Sequence, residues 1–168
     1  MPFKTITTIM CDEKTDMHAL NAAIALARRE QAHLDVLCLG LDRTQPGFYY
    51  AGTNAMVLQD NMLVAQQESE KIEAAVKDHL RVEDISWSAR PITAQMAGLT
   101  PQLSQILRFS DLVVLPRPYG PGRGHEHEEI LEAALFSCRV PVLVMPDNAT
   151  LPEHITRVVV AWNESTEA

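Results

Sequence analysis

The amino-acid sequence predicts an α/β protein built on a doubly wound, parallel, five-stranded sheet with helices on both faces, a Rossmann-like arrangement. Two features predict this fold. Short apolar runs alternate along the chain with segments whose apolar residues recur every three or four positions, which is the pattern of alternating strands and helices. Several runs are apolar throughout, such as residues 112–115 (LVVL), and strands buried on both faces are typical of parallel sheets.

The first half of the chain contains three predicted strands and two predicted helices. We predict strands over residues 6–11 and 34–39, and a weaker strand over 85–89. The helix after the first strand is expected to begin at Thr15, a residue type that caps helix N-termini. Apolar residues at steps of three and four predict a long amphipathic helix over 57–80.

A long loop is predicted over residues 40–54, between the second strand and the long helix. It contains Pro46, Gly47, Gly52 and two adjacent tyrosines. Proline and glycine interrupt regular structure, and loops of this length often carry function. We therefore expect this loop to lie over a binding site.

The second half of the chain repeats the alternation. Thr100 followed by Pro101 predicts an N-cap and a first helical residue, and the helix is expected to end at Ser110. A strand over 112–115, a helix over 126–138 and a strand over 141–145 follow.

The end of the chain resembles its beginning. Residues 157–166 (RVVVAWNEST) resemble residues 6–15 (ITTIMCDEKT), and Asn163 stands 163 − 12 = 151 positions after Asp12. A further strand is predicted over 156–162. We expect one domain over residues 1–148, and over 149–168 a linker and the first strand of a truncated second copy.

Charge and cysteine content exclude several classes of function. The chain has 14 lysines and arginines against 22 acidic residues, a net charge of −8, and no basic run, so binding to nucleic acid or to an anionic membrane is not expected. Its three cysteines are widely spaced in apolar stretches, which indicates buried thiols in a reducing compartment. The first residues lack signal-peptide character, and we expect a cytoplasmic protein.

Three segments carry a resemblance to a known family. An apolar strand ends in Asp12, residues 109–115 read FSDLVVL, and residues 140–146 read VPVLVMP. In this order and at these separations they resemble the universal stress protein family over residues 3–146. The resemblance implies the α/β fold described above, a role in stress response, and pairing between copies through the last strand.

Nucleotide-binding members of that family share a glycine-rich motif after the fourth strand: Gly, two residues, Gly, nine residues, Gly, then Ser or Thr. Its glycines let backbone amides approach phosphates at a helix N-terminus. Here the four positions fall on Leu115, Pro118, Glu128 and Glu129, and none matches. Proline removes a backbone donor, and two carboxylates oppose phosphate. The resemblance therefore implies a degenerate nucleotide loop.

We interpret the chain as a non-enzymatic protein of universal stress type that acts as a dimerisation and interaction scaffold, without a cofactor in this domain. Its expected partner is a second copy or a tandem second domain. The alternative is an adenine-nucleotide sensor that binds ATP. The resemblance implies Asp12 as one residue of the ATP site. The other candidates are chosen because they lie in the altered loop, and they are Arg117, Gly120, Gly122, Arg123 and Gly124.

A third interpretation is a metal-dependent enzyme that uses the cluster at residues 125–129 (HEHEE). His125 and His127 are two positions apart, so on a helix they point to different faces, and no further ligand follows at metal-binding spacing. We therefore expect a solvated helix start and no metal ligands there. No motif pairs a nucleophile with a base, and no catalytic residue is predicted.

Overall fold

The computed structural model of the chain describes residues 3–43 and 55–161, with side chains in the second range from residue 59 onward. The strands are Thr5–Met10 (β1), His33–Asp42 (β2), Trp87–Gln95 (β3), Leu112–Pro116 (β4) and Val142–Met145 (β5). The helices are Met17–Glu30 (α1), Ala55–Leu80 (α2), Met96–Leu107 (α3) and His125–Glu132 (α4), and a π-helical turn, Ala133–Ser137, continues α4.

The described residues form one five-stranded sheet in which every pairing is parallel. Its strand order is β3-β2-β1-β4-β5, so β1 lies at the centre. The chain builds the sheet outward from β1 to β3, then returns to place β4 on the other side. The predicted fold is confirmed, and the strand order reverses between β1 and β4, where parallel α/β sheets form ligand sites.

Each face of the sheet carries its own apolar core, because successive side chains of a strand point to opposite faces. Residues of α1 and α2 pack on one face, around Ile6, Leu34 and Val114. Residues of α3 and α4 pack on the other, around Ile9, Leu37 and Val113. Helices therefore cover both faces, as predicted.

Gly40, predicted to lie in a loop, is a residue of β2, which extends to Asp42. A Cβ atom at this position would lie 1.7 Å from the carbonyl oxygen of Ala65 in α2. The glycine therefore allows the backbone of α2 to approach the sheet directly. The rest of the predicted loop, residues 44–54, lies outside the described residues.

Two predicted boundaries in the middle of the chain were wrong. β3 runs over Trp87–Gln95 rather than 85–89, because it is an edge strand, where Pro91 needs no sheet partner for its nitrogen. α3 begins at Met96 rather than after Thr100, since the end of β3 leads directly into it. Pro101 consequently lies inside the helix, where it has no N–H to donate.

The last predicted strand does not form over residues 156–161, which are the part of it that the structure describes. A strand requires a hydrogen-bonded neighbour, and no described strand pairs with this segment. Val158, Val159 and Val160 are exposed, Val159 by 94%. The second domain copy proposed for 149–168 stays a prediction.

No helix in residues 3–43 and 55–161 combines the length and apolar character needed to cross a membrane.

Candidate functional site

A cavity of about 390 Å³ opens at the carboxyl ends of the central strands. Its wall is formed by the turn after β1, the end of β2, one face of α2 and the start of α4. Charged side chains of both signs line it: Asp12, Lys14, Arg43, Glu68, Lys71 and Glu126. Parallel α/β sheets bind ligands at this edge, and the cavity is therefore the candidate site.

Asp12 lies in the wall of this cavity, at the end of β1, where the sequence placed it. One carboxylate oxygen, Oδ1, accepts hydrogen bonds from the backbone amides of Lys14 (2.8 Å) and Thr15 (2.9 Å) and from the Thr15 hydroxyl (3.2 Å). The Thr15 amide, followed by the Lys14 amide, holds the pKa of the Asp12 carboxyl below its usual value. Asp12 therefore shapes the turn between β1 and α1 and stays ionised at neutral pH.

Asp16 is a buried carboxylate that the sequence analysis missed. It is the N-cap of α1, one residue after the predicted cap, and is fully buried. Its Oδ2 accepts the backbone amides of Cys11 (2.8 Å) and Asp12 (3.0 Å), so the side chain fastens the end of β1 rather than the helix. Its Oδ1 accepts from the Thr15 hydroxyl (3.1 Å) and lies 3.3 Å from Nε2 of His127.

His127 brings α4 onto the end of β1. The side chain is almost fully buried and forms an ion pair with Asp16. Burial alone would lower the pKa of the imidazole, but the hydrogen bond and the charge of Asp16 outweigh it and raise that pKa. Burial, assisted by the charge of Asp16, raises the pKa of the neighbouring Cys11 thiol well above its usual value. Cys11 is therefore a neutral thiol rather than a nucleophilic thiolate.

Glu126 folds back over the first turn of α4. A Cβ atom on Gly124, the N-cap, would lie 2.1 Å from a carboxylate oxygen of Glu126, which shows how closely the two approach. Arg43, at the end of β2, donates a hydrogen bond of 2.9 Å to the same carboxylate. Burial opposes ionisation of Glu126, but its own backbone amide and Arg43 outweigh it and hold the pKa of the carboxyl low.

The loop between β4 and α4 is held by ion pairs with Asp147. Arg123 lies 2.6 Å from one oxygen of this carboxylate and donates to the carbonyl oxygen of Thr15 at 3.2 Å. Arg117 donates to the other oxygen of Asp147 at 2.6 Å. The Arg123 side chain is only 3% exposed. Both loop arginines predicted as nucleotide contacts are thus engaged within the protein.

Two of the three glycine positions of the family motif are filled by buried residues, whereas the third, Glu128, is half-exposed on the first turn of α4. Leu115 and Pro118 are buried, and the backbone amide of Arg117 continues the sheet pairing to Met145 at 3.0 Å. Gly120 and Gly122 adopt positive φ angles of 132° and 79°, which other residues rarely adopt. These glycines turn the loop around Arg117 and Arg123, and of the loop glycines only Gly122 lines the cavity.

The overall structure resembles two solved universal stress proteins. "Universal stress protein UspA" from Lactobacillus plantarum superposes with a TM-score of 0.66 at 13% identity, over 86% of this chain and 99% of that chain. A universal stress protein family member from Burkholderia pseudomallei gives 0.58 at 20% identity, over 85% and 96%. The chain has the universal stress protein fold. No protein-family model and no curated protein sequence matches it, so the likeness is one of structure.

Within this universal stress protein fold, the cluster at residues 125–129, on which the metal-dependent alternative was based, does not form one site. His125 is exposed and lies 3.3 Å from Glu128, Glu126 turns to Arg43, and His127 turns inward to Asp16. The expectation that the two histidines face different ways is confirmed, but the expected solvated helix start is wrong, because Glu126 and His127 are buried. Asp16 itself could have been suggested by its place four residues after Asp12, but its partner His127 lies 111 positions away.

Proposed function

We propose that this chain is a stress-response protein of the universal stress family. In this proposal it acts without catalysis, as a cytoplasmic interaction scaffold whose nucleotide loop is degenerate. One observation carries the proposal: the Glu126 carboxylate lies over the N-terminus of α4. That position is where a phosphate would be bound by the amides of the first turn.

An internal carboxylate at a helix N-terminus satisfies the same electrostatic demand as a bound phosphate. The Glu126 carboxylate accepts hydrogen bonds from its own backbone amide and from the guanidinium of Arg43. The positive end of the helix dipole and the charge of Arg43 are therefore both already neutralised. A phosphate entering here would meet this carboxylate. At about 5 Å and an effective dielectric of about 20, two unit charges repel by roughly 3 kcal/mol.

The loop offers no compensating cation of its own. Arg117 and Arg123 share the carboxylate of Asp147, and the pKa of that carboxyl is lowered chiefly by its hydrogen bond with Arg123. A phosphate could recruit these arginines only by breaking their pairs. Carboxylate capping of α4 and pairing of the loop arginines therefore support the same proposal, a site closed to triphosphates.

Calorimetric titration of ATP, with and without magnesium, tests this proposal. The wild-type chain is expected to give no saturable heat, whereas Glu126→Ala, which clears the N-terminus of α4 and releases Arg43, is expected to gain weak binding. Glu132→Ala is the matched control, because it removes an exposed carboxylate from the last turn of the same helix, away from its N-terminus. Micromolar binding of ATP by the wild-type chain would overturn the scaffold proposal.

A scaffold needs an interaction surface, and we place it on β5. This strand pairs with β4 and is an edge of the sheet in the described part of the chain. Its Val144 is 36% exposed, so an apolar edge faces outward. We expect a homodimer by light scattering and a monomer for Val144→Lys. A monomeric wild-type mass at micromolar concentration would contradict this part of the proposal.

The cavity itself favours a second candidate function, an adenine-nucleotide sensor. Its volume, about 390 Å³, is in the range of small-ligand sites, and Asp12, Lys14 and Lys71 face it together. A nucleotide whose phosphates point toward the lysines would avoid Glu126. This candidate predicts thermal protection by ATP that weakens in Asp12→Ala and in Lys71→Ala. The scaffold predicts no protection in any of the three proteins.

A further inference from the structure

Three side chains with metal-binding atoms converge beside the cavity: the Cys11 thiol, the Asp16 carboxylate and the His127 imidazole. One donor atom from each lies within 4.8 Å of the other two. Asp16 and His127 are buried, and Cys11 is partly buried. We propose that these side chains bind a single divalent cation of the zinc type at the carboxyl end of β1.

The separation between Asp16 and His127 suits two ligands of one ion. Oδ1 of Asp16 and Nε2 of His127 are 3.3 Å apart. That is longer than the roughly 2.7–2.9 Å of a charge-assisted hydrogen bond. Two ligand atoms about 2.0–2.2 Å from a tetrahedral zinc ion lie roughly 3.4 Å from each other. The pair is already spaced for an ion, and the Cys11 sulfur lies within 4.8 Å of both atoms.

The carboxylate is held in place for this role. Oδ2 of Asp16 is fixed by the backbone amides of Cys11 and Asp12, and so Oδ1 is directed toward His127. Hydrogen bonds to the non-ligating oxygen are the usual outer support of a carboxylate ligand. The same two amides belong to the backbone that carries the Cys11 side chain, which ties two of the three ligands to one turn.

The imidazole of His127 is incompletely satisfied by the protein. Its Nδ1 is buried and has no hydrogen-bond partner among the described residues, although Nε2 faces Asp16. A cation bound at Nε2 leaves the imidazole proton on Nδ1, from which a ligating histidine usually donates to a carbonyl, a carboxylate or a water. Binding of the ion releases the proton of the Cys11 thiol to solvent, because the thiolate is the ligand, and replaces the hydrogen bond between Asp16 and His127 with a direct bond to each.

The cavity gives a cation access to the three ligands and leaves room for a fourth ligand. Cys11 and His127 both line it, so a cation can enter there and keep one position open to water. Three protein ligands and one exchangeable position are typical of zinc sites that bind or activate a ligand, whereas closed structural sites use four protein ligands. Thiolate and imidazole together favour zinc over magnesium or calcium.

Cobalt(II) titration of the untagged, reduced full chain tests the site, because thiolate coordination of cobalt produces a charge-transfer band in the near ultraviolet. We expect saturation at one cobalt per chain, displacement by one equivalent of zinc, and the same stoichiometry by elemental analysis after dialysis with zinc.

Variants assign the ligands. Cys11→Ser is expected to abolish the charge-transfer band, whereas Cys38→Ser and Cys138→Ser keep it. His127→Gln, which retains a polar group of similar size beside Asp16, is expected to weaken zinc binding at least about 100-fold, because outer-shell partners alone are worth 10–100-fold. His125→Gln is the matched control and should bind as the wild type does.

Circular dichroism distinguishes lost ligands from lost folding. If Cys11→Ser fails to fold, Thr15→Val, which removes a competing donor to Asp16 Oδ1, gives a second test and should bind zinc at least as tightly as the wild type. Absence of a charge-transfer band in the folded wild type would overturn the proposal. A band that survives in Cys11→Ser and is lost in either other cysteine variant would overturn it equally.

Discussion

Two aspartates clamp the two ends of β1 in the same way. Asp111 accepts the amides of Lys4 (2.8 Å) and Thr5 (3.0 Å) at the start of the strand. Asp16 accepts the amides of Cys11 (2.8 Å) and Asp12 (3.0 Å) at its end. Asp111, however, is exposed to water, and Asp16 is fully buried beside His127. Identical hydrogen bonds therefore lie in opposite environments.

The difference separates structural polar groups from candidate functional ones. Water can replace Asp111 as the hydrogen-bond acceptor of the two amides, so removing this side chain costs little stability. The side chain of Asp16 is fully buried, and its loss leaves the buried imidazole of His127 without its carboxylate partner. Buried ionisable groups concentrate at the carboxyl end of the sheet, where the cavity lies, and such groups are candidates for function.

The largest expected effect is that of Asp16→Ala. We expect it to lower the free energy of unfolding by about 4 kcal/mol, because removing one partner of a buried ion pair leaves the other uncompensated. Urea unfolding followed by circular dichroism measures it. A loss no greater than that of Asp111→Ala would show that burial does not distinguish the two clamps.

Gly40→Ala should follow, with a loss of about 3 kcal/mol. A methyl group at position 40 meets the Ala65 carbonyl and forces α2 away from the sheet beside the cavity. Gly98→Ala is the control, since a Cβ there meets no atom within 4 Å. In α3 it should be neutral or stabilising by up to about 1 kcal/mol. Equal effects in thermal unfolding would refute the close approach of α2.

Asp111 gives the pH dependence of the exposed clamp. The Thr5 amide, followed by that of Lys4, lowers the pKa of its carboxyl in the folded chain. The stability that Asp111 contributes is therefore complete at a pH above the pKa of the unfolded chain, about 4. It is lost as the pH falls through the lower pKa of the folded chain. Asp111→Asn should lower the free energy of unfolding by less than about 1 kcal/mol at neutral pH. It should also reduce the further loss of stability that the wild type shows at acid pH. A variant that loses as much stability at acid pH as the wild type would contradict this role of Asp111.

The smallest expected effect is that of the ion pair between Arg28 and Glu83. Its arginine side chain is 55% exposed, and exposed pairs contribute about 0.5 kcal/mol or less. Arg28→Ala should therefore change the urea midpoint barely measurably. A loss above about 1 kcal/mol would mean that polar contacts at this end of the sheet matter more than their exposure indicates.

The sequence predicts the sheet well because its signals are local. Apolar runs and helical periodicity within single segments indicated all five strands and their crossovers. The errors fall where tertiary context overrides a local pattern. Pro91 is tolerated because β3 is an edge strand, Thr100 does not begin α3 because β3 runs directly into it, and residues 156–161 lack a partner strand.

The site was predicted only in part. Asp12 and the unmatched glycine motif could be read from neighbouring residues, since each belongs to one strand end or one loop. The sequence does not group the other residues of the site, because the ends of β1 and β2 and the starts of α1 and α4 supply them from positions up to 116 residues apart (127 − 11). These residues are Cys11, Asp16, Arg43, Glu126 and His127. Parallel strand order brings these segments together at one sheet edge. Periodicity thus determines the layers, and only packing of those layers determines which charges become buried neighbours.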